Sequence, residues 1–368
     1  MTRLPDRANA QFRANAPYDV LVRELLTAPI SDNPQAPDPV LRDPTRPNPL
    51  AFYAVKDAKP ENLAAATARV FLGIQIECAQ CHDHPFARWE RDQFWNLAAF
   101  FAGIERQGEG VFAPVSDDRR RELTIPNTKR TVKTAFLDSH EPTWAAGANP
   151  RAVLATWVTA KDNPFFARAG ANRVWGHLFG IVDPVDDFND ANAPSHPELL
   201  DELAREFADA DFDLKFLIRA VCRTKVYQRT SARTHPTEDD LRLLARMPVK
   251  GLTGEQFFDS LAMATGYREP AGRANARSQF LTQFAPRGRP TEPETSITQA
   301  LTLMNGRVVN QVTSLEGSPT LLAICETPGM TTTDRVEALY VAALSRKPTA
   351  TERDRMVRVA LTCLSARR

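Results

Sequence analysis

Residues 77–86 read ECAQCHDHPF, a run that gathers two of the chain's five cysteines and two of its six histidines. A thiol, two further residues, a second thiol and then an imidazole is the spacing that attaches a c-type haem. The chemistry sets that spacing: two thiols add across the two vinyl groups of the porphyrin, and the imidazole after the second thiol binds the iron from below. Cys78, Cys81 and His82 meet all three requirements, which makes haem c the leading cofactor expectation. Zinc is the alternative, with Cys78 and Cys81 as half a site and His82 or His84 plus one remote histidine completing four ligands. A third reading needs no metal at all: the cysteines lie near a helix end and His82 bonds a backbone carbonyl. The chain has no second C-x-x-C and no H-x-x-x-H to strengthen zinc.

His84 lies two residues past His82 and cannot swing around a porphyrin to its far face, so it reads as a supporting hydrogen-bonding group beside Asp83. Remote ligand candidates are His140, His177, His196 and His235, with Met263 and Met304 as thioethers. His177 comes first, because Arg173 and His177 stand four apart on one helical face. Arg173 would then meet a haem propionate as a bidentate partner. The plainer alternatives are a helix-dipole role for His177 and an ion pair of Arg173 with a carboxylate such as Asp186. His196 is the second choice, in SHPE, where Ser195 and Glu198 have capping-box spacing. Asp183, Asp186 and Asp187 form an acidic loop that suits a hard cation, an acid/base pair or, most simply, ordinary turn chemistry. Phe86, Trp89 and Trp95 flank the cysteines as packing that would shield a cofactor. No G-x-S-x-G elbow, P-loop or G-x-G-x-x-G occurs, so the sequence identifies no catalytic residue.

The elements that must position these groups are mostly helical. Periodicity predicts helices over 18–28, 61–76 and 92–103, so the cysteine cluster falls between two amphipathic helices. Seven prolines over 29–50 forbid regular helix there and predict an extended arm. Two β-prone runs around Pro126, Asn127 and Thr128 predict a small hairpin. Helices resume at 151–160 and in DNPFFARAGANRVWGHLFG, where Asp162 or Asn163 can cap, Pro164 suits the first turn and Gly180 the stop. Thr253 with Gln256 forms a second capping box, closed by Gly266. Residues 268–294 read as a long loop, and helices follow near 296–305, 332–345 and 350–364. The expected fold is mainly α, with multi-helix subdomains and a small β-hairpin insertion. The expected division is 1–105 with the cysteine cluster, 106–148 as hairpin connector and 149–368 as a second helical domain.

At 368 residues, two or more subdomains are expected. Lys plus Arg number 46 against 45 Asp plus Glu, and a net charge of +1 supplies no field to recruit nucleic acid or an anionic membrane. No apolar run is long enough to span a bilayer, and the N-terminus carries no secretory h-region. Cys222, Cys325 and Cys363 sit singly in apolar helical contexts as small hydrophobes, so no disulfide framework is expected.

The motifs together resemble a known group. FLGIQIECAQCHDHPFARWERDQFWNLAAFFAG is similar to the C-terminal part of the domain of unknown function numbered 1549. NPFFARAGANRVWGHLFG, VDPVDDFNDANAPSHPELLDELAREF, FDLKFLIRAVCRTKVYQRTS, ITQALTLMNGRVVN and LYVAALSRKPTATE are similar to its companion, numbered 1553. The pair occurs in planctomycete-type cytochrome-associated proteins. That resemblance implies an exported, periplasmic setting and a redox partner or cytochrome c domain. It also implies a longer protein, of which this chain would be a fragment or an internal start. The segment after His177, FGIVDPV, is shorter than the FGRGLVDP usual in the group. The expectation is therefore an exported c-type haem-associated redox or electron-transfer protein, or a domain of one. The alternative is a non-catalytic helical interaction module with zinc, or no metal, at the same cluster.

Overall fold

The structure is a computed structural model that describes residues 11–30, 49–106, 108, 115–179, 187–189, 192–269, 276–284 and 297–365. The described residues fall into two compact units, one within 1–249 and the other within 250–368. The single boundary at 249/250 contrasts with the sequence division, which followed motif borders at 105 and 148.

The first unit is mainly helical. α1 (Tyr18–Leu26), α2 (Ala51–Ala54) and α3 (Pro60–Thr67) lead into a wider π-helical turn, Ala68–Leu72. Gly73, at φ +68°, ends that turn in the left-handed region, where a Cβ would stand 2.6 Å from the Phe188 ring. A side chain is excluded there on both counts. The helix expected over 61–76 thus stops short of the cysteines, which have their own 3-10 turn, Glu77–Gln80. α4 (Arg91–Ala98) comes next, opened by a reciprocal capping box between Glu90 and Gln93.

Two antiparallel hairpins succeed it. β1 (Ile104–Arg106) pairs with β2 (Val115–Asp117), and β3 (Glu122–Thr124) pairs with β4 (Thr131–Lys133). The second is the hairpin expected around Pro126. The first was not legible, because β1 is a three-residue strand with no alternation to detect.

α5 (Pro150–Val158), α6 (Phe166–Phe179), α7 (Pro197–Asp209) and α8 (Leu214–Cys222) complete the unit. Asn163 accepts the backbone N–H groups of Phe165 and Phe166 at 3.0 and 3.1 Å, the cap its position suggested. The N-cap of α7 is His196, one residue after Ser195, and the His196 side chain makes no cap bond. The core is aromatic, with Tyr18 stacked on Phe166 at 5.1 Å and Phe212 edge-on to Phe166 and Phe207. α6 approaches α7 closely at Gly170, where a Cβ would lie 3.0 Å from Phe207.

One buried polar network ties the early and late parts of this unit. Arg151 donates to Asp117 Oδ2 at 2.8 Å, to the carbonyls of Leu26 and Ala28, and to the Tyr53 hydroxyl. Tyr53 in turn donates to Leu26 O at 2.5 Å. Burial pushes the Tyr53 hydroxyl above its ordinary pKa, a rise that the neighbouring guanidinium partly offsets.

The second unit holds α9 (Gly254–Thr265), α10 (Ala276–Gln283), α11 (Ile297–Asn305), α12 (Arg307–Val312), α13 (Pro319–Glu326), α14 (Thr332–Leu344) and α15 (Ala350–Ser365). The Thr253–Gln256 box and the left-handed Gly266 form as the sequence indicates. α10 corrects the expectation of a continuous loop over 268–294: Phe280 is buried against Phe257, Phe258 and Phe284, and this ring cluster stabilises a short helix that local pattern does not announce. Cys325 is exposed rather than a buried hydrophobe. No helix among the described residues is long and apolar enough to cross a membrane.

Candidate haem-attachment site

The C-A-Q-C turn is built so that its cysteines face outward. Ala79 is fully buried and anchors the turn, whereas Cys78 and Cys81 are free and exposed. Cys78 lies within the 3-10 turn, and Cys81, three residues on, is its C-cap. Cys81 N–H closes the turn on Cys78 O at 3.4 Å. Between the two cysteines, the Gln80 carbonyl accepts the Trp95 indole N–H at 2.9 Å and Arg91 Nε at 3.5 Å. The next helix, α4, therefore holds the turn from behind.

The two neighbouring histidines are fixed in opposite tautomers, as their hydrogen-bond partners assign them. His82 Nδ1 lies 2.7 Å from Asp83 O, and since a carbonyl only accepts, Nδ1 carries the proton. In the neutral ring that leaves a lone pair on the outer nitrogen, Nε2. His84 is reversed, because its Nδ1 accepts the Phe86 backbone N–H at 3.2 Å and the proton sits on Nε2. The backbone of His84 also donates to Trp89 O at 2.8 Å, which closes the 84–89 loop. Asp83 does not pair with His84; its Oδ1 accepts Arg91 N–H at 2.9 Å.

Of the flanking rings, Trp89 and Trp95 are buried as expected, but Phe86 is 77% exposed and shields nothing. A loop closed by the His84 N–H on Trp89 O and by the Phe86 N–H on the His84 imidazole turns that ring outward.

Arg173 reaches toward the same region by another route. Its guanidinium donates to Arg69 O at 2.7 Å and to Val70 O, the carbonyls of the π-helical turn. It thereby caps the segment that feeds the cysteine turn and fastens it to α6. The sequence assigned this fork to a propionate; the structure places it on backbone carbonyls. His177 is exposed in the last turn of α6. His196 lies elsewhere, in a cavity of about 50 Å³ bounded by Asn172, Trp175, Leu203 and Arg242, with its Nε2 donating to Arg242 O at 2.7 Å. That space is far below what a porphyrin fills. His177 does not line it.

Met263 and Met304 are exposed on the second unit. Gly180, Asp183, Asp186 and most of the proline-rich arm lie outside the described residues, as does the shortened FGIVDPV turn beyond Phe179. Among the described residues, no three His, Cys, Asp or Glu side chains are gathered as a metal site.

Two thiols and an imidazole on an exposed turn are the residue types that covalent haem attachment uses. Fold and turn together define a mainly helical protein with a C-x-x-C-H turn held between helices. Residues 4–106 match the family model PSCyt2, described as a protein of unknown function (DUF1549), and residues 150–285 match PSD1, a protein of unknown function (DUF1553). The second match runs across the boundary between the two compact units, and ITQALTLMNGRVVN and LYVAALSRKPTATE lie beyond it. No curated protein and no solved structure is similar enough to match.

Proposed function

We propose that this chain is a c-type haem-associated redox or electron-transfer protein, or a domain of one, exported from the cytoplasm. The observation that supports the reading is the cysteine turn: two free, exposed cysteines three residues apart, followed by an imidazole whose Nδ1 bonds Asp83 O and whose Nε2 keeps its lone pair. Cys78 and Cys81 would each form a thioether, the thiol proton passing to the vinyl carbon that the sulfur does not take. His82 Nε2 would bind the iron, with Asp83 O holding the ring and raising its basicity. Haem bound there supplies a one-electron couple near the surface. Trp95 and Arg91, both on Gln80 O, hold the backbone between the two cysteines. An exposed turn suits a redox partner or a cytochrome c domain that must approach the haem edge, and maturation of covalent haem agrees with export.

The test is a pyridine haemochrome spectrum of protein matured in an export-competent host with c-type assembly. Denatured wild-type protein is expected to retain its colour after extraction with acidified solvent, and the Cys78→Ala, Cys81→Ala double variant to lose it. Release of all colour from the wild type would show that no thioether exists and would end this reading.

A further inference from the structure

A second cleft is bordered by Ala87, Arg88 and Trp89 of the 84–89 loop. Its volume is about 390 Å³, within the range of small-molecule sites. Cys78, Cys81 and His82 do not line it, so a ligand there would bind independently of any haem on the cysteine turn. Its walls are Trp89, Phe165 and Phe188, with Pro194 and Pro197 beside them. Trp89 and Phe165 meet edge to face at 6.1 Å, and Trp89 and Phe188 are buried. These rings are stiff surfaces that lose little freedom on binding.

Among the described residues, the charged groups lining the cleft are both cations. Arg88 lies over the Trp89 ring at 5.5 Å, and Arg168 over the Phe188 ring at 5.6 Å. Each guanidinium is thus held beside the cavity by an aromatic face. Arg168 Nε also stands 2.8 Å from Asp201 Oδ1, an ion pair whose angle falls outside hydrogen-bonding geometry, so that N–H is left without an acceptor. Asp201 does not line the cleft. Arg88 has no carboxylate partner among the described residues. Asn189 and Asn192 add neutral polar groups at the rim, each with its amide nitrogen on Asp187 O.

A cleft with aromatic and prolyl walls and two guanidiniums, and with no carboxylate among its described lining residues, suits one kind of ligand. We infer that it binds a small flat organic carboxylate, its body against Trp89, Phe165 and Phe188 and its carboxylate on Arg88 and Arg168. The guanidinium fork matches a carboxylate in two parallel bonds, whereas the prolines and rings reject a hydrated inorganic anion. Arg88 is the main anchor, because Arg168 shares its charge with Asp201.

The probe is 2-naphthoate, titrated into the full chain and followed by chemical shifts of the tryptophan indole N–H groups, with methyl 2-naphthoate as the neutral counterpart. Saturable binding is expected for the acid, with the Trp89 signal shifting. The ester should bind at least about tenfold more weakly, the loss that follows from removing a charge-assisted hydrogen bond. Arg88→Gln should weaken the acid by a similar factor while leaving the ester unchanged. The inference is overturned if the acid does not bind saturably, if acid and ester bind equally, or if Arg88→Gln binds the acid as wild type does.

Discussion

The indole N–H of Trp95, in α4, donates 2.9 Å to the carbonyl of Gln80, which lies between the two cysteines of the exposed turn. This single bond connects a buried helix to the residues that would carry a cofactor. The ring itself is only 3% exposed. A core residue therefore helps hold the backbone between two exposed cysteines.

Trp95→Phe keeps a ring in the core but removes the donor. The expected loss is about 1 kcal/mol in urea unfolding, the usual contribution of one such bond. Amide exchange of residues 79–83 should quicken while that of α7 stays unchanged. Equal exchange of the turn in both proteins would show that Gln80 O is held by other means.

His82 and His84 should behave differently although they are two residues apart. In haem-loaded protein, His82→Ala should abolish the imidazole-ligated visible spectrum. His84→Ala should preserve it, because the His84 Nδ1 lone pair already accepts Phe86 N–H and its Nε2 carries the proton. The check is the pair of absorption spectra. A loss of ligation in His84→Ala equal to that in His82→Ala would contradict the tautomer assignment.

The Arg151–Asp117 pair is buried on both sides, with side-chain exposures of 4% and 5%. Arg151→Met should cost about 3–5 kcal/mol, because it strands the Asp117 charge and frees two carbonyls and the Tyr53 hydroxyl. The variant combined with Asp117→Leu should recover part of that loss, since no charge then remains buried. Denaturant melts of the three proteins measure it, and a double variant no better than the single would argue that the carbonyl bonds dominate.

Asp213 caps α8 by accepting Phe216 N–H at 2.8 Å, and this bond holds its carboxyl below the ordinary carboxylate range. Its contribution is present above the unfolded pKa, about 3.9, and is lost as pH falls through the lower folded value. Asp213→Ala should therefore cost about 1 kcal/mol near neutral pH. The gap to wild type should narrow as pH drops below about 4. A gap that stays constant into strong acid would mean that charge plays no part in the cap.

Features that depend on near neighbours are legible in residue order. The mainly helical composition, the Asn163 and Thr253 caps, the Gly266 stop and the hairpin at Pro126 follow from backbone preferences a few residues wide. The C-x-x-C-H spacing is local chemistry of the same kind, and so are the PSCyt2 and PSD1 matches, which read residues in order. Other features exist only once the chain has folded. Arg173 binds the carbonyls of Arg69 and Val70, about a hundred positions away, and no helical periodicity carries that information. Phe86 faces water because the His84 N–H to Trp89 O bond and the Phe86 N–H bond to the His84 ring shape the loop, although its residue type predicts burial. α10 exists because distant rings bury Phe280. The Arg151 network and the two-arginine cleft likewise join residues separated by scores of positions, where side-chain contact is a property of the folded chain and not of any segment in it.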